Sequence, residues 1–156
     1  PKFFREQNPR SFLLLSAFTQ AISLTSTFPN IYICVHMILG LPEETYDDMI
    51  EGANALASLP IHGIKLHPLH VVKDTFLEKL YHEGKYTSLE FDEYVILCCD
   101  FLERIPPSIT VQRITADAPE DLLIGPLWVS RKMAILNAID NEFKRRKTYQ
   151  GALYQK

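Results

Sequence analysis

Three short stretches of this 156-residue chain carry residue types that chemistry needs: His36-Met37-Ile38-Leu39-Gly40-Leu41-Pro42-Glu43, Lys65-Leu66-His67-Pro68-Leu69-His70 and Gln112-Arg113-Ile114-Thr115-Ala116-Asp117. In the first, Gly40 lets a ligand or another backbone come close and Pro42 fixes the turn. Strand-end carbonyls and amides there suit hydrogen bonding to a flat heterocycle. The bland alternative is an ordinary strand–turn–helix joint. In the second stretch, His67-x-x-His70 has the spacing of a metal-ligand pair. Pro68 breaks any helix that would align the rings, however, and no third ligand follows, where catalytic zinc usually takes three. No metal site is expected; Lys65, His67 and His70 suit a pocket-facing role instead. In the third, alternation puts Arg113 on the side of Val111. A buried guanidinium there requires an anionic ligand group or a carboxylate such as Asp117 or Glu43.

Cys34, Cys98 and Cys99 complete the reactive inventory. An odd number at these spacings is no disulfide framework and suits a reducing, cytoplasmic setting. Cys98 and Cys99 are neighbours within one helical pattern, so their side chains diverge by about 100° and do not chelate one iron. All three read as small packing residues.

These stretches must be held by an alternating framework. Apolar recurrence at Phe12, Leu15, Phe18 and Ile22 predicts a helix over 9–27. The run Ile31–Leu39, apolar on both faces, predicts a strand covered on both sides. Thr45 with Asp48, and Thr75 with Glu78, mark helix starts, and Ser88 is the expected cap of the next helix. That helix should bury Phe91, Tyr94, Val95, Cys98, Leu102 and Ile105. Further strands are expected at Gly63–His67 and Ile109–Thr115. A long last helix, from about Ser130 to Arg146, should face Met133, Leu136, Ile139 and Phe143 inward. Pro126, Leu127 and Trp128 should pack beneath it, with Lys144–Lys147 as a solvated basic end. Strands separated by helices imply right-handed parallel crossovers. The fold class is α/β, with at least three parallel strands, flanking helices and a long C-terminal helix; three strands are too few for a closed barrel or a usual doubly wound sheet, so they form part of a larger sheet. In such sheets ligands lie beyond the carboxyl ends of the strands, where all three stretches fall.

Composition narrows the partners. Hydrophobic residues are 47% and charged residues 22%, and sixteen Lys and Arg face nineteen Asp and Glu, a net charge of −3. That is globular composition in one domain, with no demand for nucleic acid and no membrane-length apolar run. The chain starts at Pro1, which suggests a piece of something longer.

Gly40 and Glu43, with Ile38 upstream, match the end of the G-x-I-x-G-x-x-E pattern of radical S-adenosylmethionine enzymes, with His36 departing at its first glycine. His36–Thr45, Gly63–His67, Leu69-His70-Val71, Arg113–Asp117, Pro126-Leu127-Trp128 and Leu136–Asp140 together resemble the carboxyl-terminal half of the YhcC-like radical S-adenosylmethionine proteins, a group related to the Elongator catalytic subunit. The resemblance covers residues 31–151, with 1–30 a helical lead-in, and implies that the strands are part of a (β/α) TIM-type barrel. It implies that Ile38, Gly40, Glu43, Lys65 and His67 border the adenine of S-adenosylmethionine, while His70, Arg113 and Asp117 meet substrate or an anion. It implies a 4Fe–4S cluster and S-adenosylmethionine in the intact parent, cleaved to a 5′-deoxyadenosyl radical that abstracts hydrogen. The C-x3-C-x2-C trio is absent, so this chain alone is expected to bind no cofactor and to need a missing N-terminal half of the barrel. A homodimer through an open sheet edge and, through the Elongator relationship, tRNA are further expected partners. Two alternatives are a non-catalytic RNA- or protein-binding module using Lys144–Lys147, and an unrelated α/β enzyme with Arg113 and His67 around an anionic substrate.

Overall fold

A computed structural model describes residues 9–116 and 118–155. Helix α1 (Pro9–Thr25) leads into strand β1 (Cys34–Leu39), helix α2 (Tyr46–Ala57) and strand β2 (Gly63–Pro68). Strand β3 (Val71–Val72), helices α3 (Phe76–His82) and α4 (Phe91–Leu102) and strand β4 (Thr110–Arg113) follow. Strand β5 (Leu123–Gly125), a 3-10 turn at Leu127–Ser130 and helix α5 (Lys132–Arg146) complete the order. Strands β1, β2 and β4 form a parallel sheet in that sequence, as the alternation of strand and helix requires. A small antiparallel ribbon pairs β3 with β5, which the sequence pattern does not disclose.

Local signals explain most helix starts. The Thr45 side chain accepts from the Asp48 N–H, and the Asp48 carboxylate accepts from the Thr45 N–H, a reciprocal cap. Thr75 accepts from the Glu78 N–H, while the Glu78 carboxylate reaches back to the Asp74 N–H. Helix α4 starts later than Ser88 suggests: Glu90 is its cap, with its N–H donating to Glu93. Ser88 is buried instead, because the segment leading into α4 packs against the end of β1.

The core lies between one face of the sheet and the helices. Leu39, Ile64 and Leu66 are fully buried there, together with Tyr94, Leu97, Cys98, Cys99 and Phe101 of α4. Each large apolar side chain removed from water in this way contributes about 1.5–3 kcal/mol. Helix α4 buries residues almost all round, since α2 packs on one flank and α5 on another. In α1, Ile22 is buried and Phe18 is exposed, whereas Phe12 and Leu15 lie outside the described side chains.

Two further expectations fail, the second in part. Strand β1 is covered on one face only: Val35 and Leu39 are buried, while His36 and Ile38 are exposed, because all the helices packed on this sheet lie on the other face. Helix α5 turns its expected face inward only in its second half, where Ile139 is buried and Phe143 packs against the core. Ile135 and Ile139 are buried, but Met133 and Leu136 are 66% and 41% exposed. The half-polar pair Glu142 and Arg146 shares the inward stripe, which apolar spacing alone does not reveal.

Candidate functional site

Parallel register decides which side chains share the open face of the sheet. His36 is paired with Lys65, Lys65 with Arg113, and Ile38 with His67. Side chains alternate along each strand, so Cys34, His36 and Ile38 of β1 lie on the same face as Lys65 and His67 of β2. The register of β4 slips between Ile64 and Lys65, where Gln112 forms a bulge. Val111 pairs with Ile64, partly buried on the helix side, whereas Arg113 pairs with Lys65 and is exposed. Simple alternation, which put Arg113 beside Val111, therefore fails at the bulge.

The open face is arranged in layers. At the amino end of the strands the Tyr32 hydroxyl donates to the His62 carbonyl at 2.8 Å, and the Cys34 thiol lies 3.4 Å from Gln112 Oε1. Gly63 has no side chain because a Cβ would meet Tyr32 Oη at 2.7 Å and Gln112 Nε2 at 3.1 Å. The next layer is His36, Lys65 and Arg113. Beyond it, at the carboxyl ends, His36, Ile38, His67, Pro68, Leu69, His70 and Ala116 line a cavity of about 290 Å³. That is near the lower limit of pockets that enclose small ligands, roughly 300–1,000 Å³. The His36 and His67 rings stack at 5.4 Å. The His67 pKa is lowered, first by burial and then by the charges of His36, Arg113, His70 and Lys65. Its Nε2 is shielded from solvent and has no hydrogen-bond partner among the described residues.

Ile38, His67 and His70 thus meet in one cavity, with Lys65 and Arg113 in the layer below. His36 belongs with them although the sequence pattern treats it only as a departure; its period-two relation to Ile38 was the available signal. Gly40 lies just past the cavity at φ +84° and is engaged on both sides. Its N–H donates to Glu44 Oε2 at 3.0 Å, and its carbonyl accepts from the Tyr86 hydroxyl at 2.8 Å. Its backbone therefore shapes the strand end, and a flat ring would find both hydrogen-bonding groups taken. Glu43 is exposed at φ 65°, and the neighbouring Glu44 carboxylate closes the turn by accepting from the Gly40 and Leu41 amides. Asp117 lies outside the described residues.

The cysteines are not arranged for a cluster. Cys98 and Cys99 are fully buried in α4, and burial pushes the Cys98 thiol far up and the Cys99 thiol up to about 12. Among the described residues, no three His, Cys, Asp or Glu side chains are grouped to hold a metal. An iron–sulfur cluster does not fit the residues present. Trp128 is buried, edge-on to Phe91 and tilted on Tyr94 of α4, with its indole N–H donating to the Leu89 carbonyl, whereas Leu127, expected to pack beneath the last helix, is 70% exposed.

The basic end of α5 is less solvated than its composition suggests. Arg146 reaches Asp100 and Glu142 at 2.6 Å each and Glu103 at 3.5 Å, joining α5 to α4. Tyr46 donates to the same Asp100, extending the network to α2. Arg145 pairs with Glu142 and Lys144 with Asp140. No described helix is long and apolar enough to cross a membrane.

The family described as Radical_SAM C-terminal domain matches residues 61–145. The chain is 48% identical over 127 residues to the uncharacterized protein YtqA of Bacillus subtilis, covering 81% of this chain and 39% of that protein. It is 30% identical over 108 residues to protein YhcC of Escherichia coli K12, covering 69% of this chain and 35% of the other. The structure of an archaeal Methanocaldococcus infernus Elp3 with an N-terminal deletion superposes with a TM-score of 0.70 at 12% identity, over 95% of this chain and 33% of that one. The chain therefore spans little more than a third of the relatives it matches.

Proposed function

The chain belongs to the Radical_SAM C-terminal domain family, and from that premise we propose that it supplies the adenine- and substrate-facing side of a barrel that uses S-adenosylmethionine. The observation that carries this reading is the convergence of Ile38, His67 and His70 on one cavity at the carboxyl ends of parallel strands. Ile38 is 43% exposed toward that cavity and offers an apolar surface for a heterocycle. Lys65 and Arg113 stand below it in register, where they can meet the charged parts of cofactor or substrate. Gly40, with Leu89 packed over it, keeps the strand end in shape, and Glu44 holds the turn that follows.

S-adenosylmethionine, when bound, supplies radical hydrogen abstraction in such a barrel. The residues of this chain hold and orient; the cluster that starts the chemistry belongs to a separate N-terminal half, which would continue the sheet from the edge at β1. The alternative of an RNA-binding module on the basic helix end has less support, because Arg146 is committed to Asp100, Glu103 and Glu142.

Titration of the isotope-labelled chain with 5′-deoxyadenosine tests the reading. Amide signals of Ile38, His67 and Leu69 should shift together, and a response confined to other residues, or none, would overturn it. Iron–sulfide reconstitution provides a second check: uptake of four iron and four sulfide per chain would refute the placement of the cluster outside it.

A further inference from the structure

The layer below the cavity has an electrostatic feature that the adenine reading does not use. Lys65 and Arg113 are register partners on neighbouring strands, and His36 is the partner of Lys65 on the other side. Like charges directly opposite on paired strands destabilise a sheet. Neighbouring strands lie about 4.8 Å apart, so this row gathers its cationic groups across a width of about 10 Å. His67 stands one step further toward the cavity, and His70 projects from the turn between β2 and β3. Neither Lys65 nor Arg113 forms an ion pair with a described residue.

We propose that Lys65, His67 and Arg113, flanked by His36 and His70, form a protonation-dependent site for an oxyanion, a carboxylate or a phosphate carried by the substrate. The inference rests on the reading of this face as the ligand face. An anion would relieve the repulsion along the row, and the Arg113 fork suits two oxygens of one carboxylate or phosphate. The described groups whose charge reaches His67 are His36 from β1, Lys65 from β2, Arg113 from β4 and His70 from the turn, all cationic or able to become so. Asp117 follows β4 and lies outside the described residues. In the free chain these charges and burial favour neutral His67. A bound anion reverses the balance, so by linkage anion binding takes up a proton and tightens as pH falls.

The test uses this chain with sulfate and with acetate, neither of which titrates between pH 6 and 8, read from the histidine ring signals. Each bound probe should raise the apparent pKa of His67, and binding should be several-fold tighter at pH 6 than at pH 8. Arg113→Gln and Lys65→Gln should each weaken binding about tenfold, and His67→Asn should flatten the pH dependence. Binding of sulfate but not acetate would assign the site to phosphate, and binding of acetate but not sulfate would assign it to carboxylate. The proposal fails if neither probe moves the His67 signal in the unaltered chain, a result that does not depend on any variant folding. Deoxyadenosine binding without an anion response would leave the adenine reading standing and remove this one. The opposite pattern would do the reverse.

Discussion

Arg146 shows how much one side chain can hold. Its side chain is 20% exposed, and its fork joins Asp100 and Glu103 of the α4 segment to Glu142 of its own helix. Removing it leaves three carboxylates together with reduced compensation, so Arg146→Ala should lower the unfolding free energy by about 2 kcal/mol, read from urea denaturation. Glu142 makes a complementary prediction. Hydrogen bonds from Arg145 and Arg146 bring its pKa down to about 2 from its ordinary 4.5. The stability it contributes is therefore complete above pH 4.5 and is lost as pH falls toward 2. Glu142→Gln should flatten the acid limb of a stability–pH curve over that window; an unchanged limb would refute the pairing. Of this network, the Glu142–Arg146 contact was legible as an i,i+4 pair. Asp100 and Glu103 lie more than forty residues from Arg146 in sequence, and no local spacing rule connects them.

At the scale of elements, a strong local signal made a boundary readable, and long-range packing decided the rest. Thr45-x-x-Asp48 and Thr75-x-x-Glu78 mark the starts of α2 and α3 because their hydrogen bonds close within four residues. The start of α4 shifts to Glu90 because Leu89 is drawn over Gly40 and under the Trp128 indole. The ribbon of β3 and β5 is too short to show any period, and its two strands are about fifty residues apart. The inward face of α5 is open to measurement. Ile135→Ala should cost about 2–4 kcal/mol, whereas Met133→Gln and Leu136→Gln should each stay within about 0.5 kcal/mol. Gly40→Ala meets two obstacles, the φ of +84° and Leu89 carbons at 3.0 Å, and should cost about 1–3 kcal/mol in thermal or urea unfolding. Of the site, Ile38, His67 and His70 were legible from the strand-end rule, while His36 and the true side of Arg113 needed the register and the bulge.

The described residues form a sheet with helices on one face and a layered, largely polar surface on the other. Nothing in the apolar pattern of β1 announces this, because Ile38 and Met37 look equally suited to a core. Among the described residues β1 and β4 each have one sheet neighbour, which leaves an edge at either side. In the proposed barrel, an N-terminal half would pair with β1. In its absence the chain should self-associate through these edges as concentration rises, as sedimentation velocity would detect; a monomer from micromolar to millimolar concentration would argue against it.

The middle position of β2 has a consequence in time as well as in space. A parallel strand directs successive amides to opposite neighbours, so β2 can occupy both sets while β1 and β4 each leave one set facing outward. Deuterium uptake should therefore be slow at consecutive amides of β2 over Gly63–Lys65, where both neighbours are paired, and should alternate fast and slow along β1. In the proposed complete barrel, the fast set in β1 should fall silent, recording the closure one amide at a time.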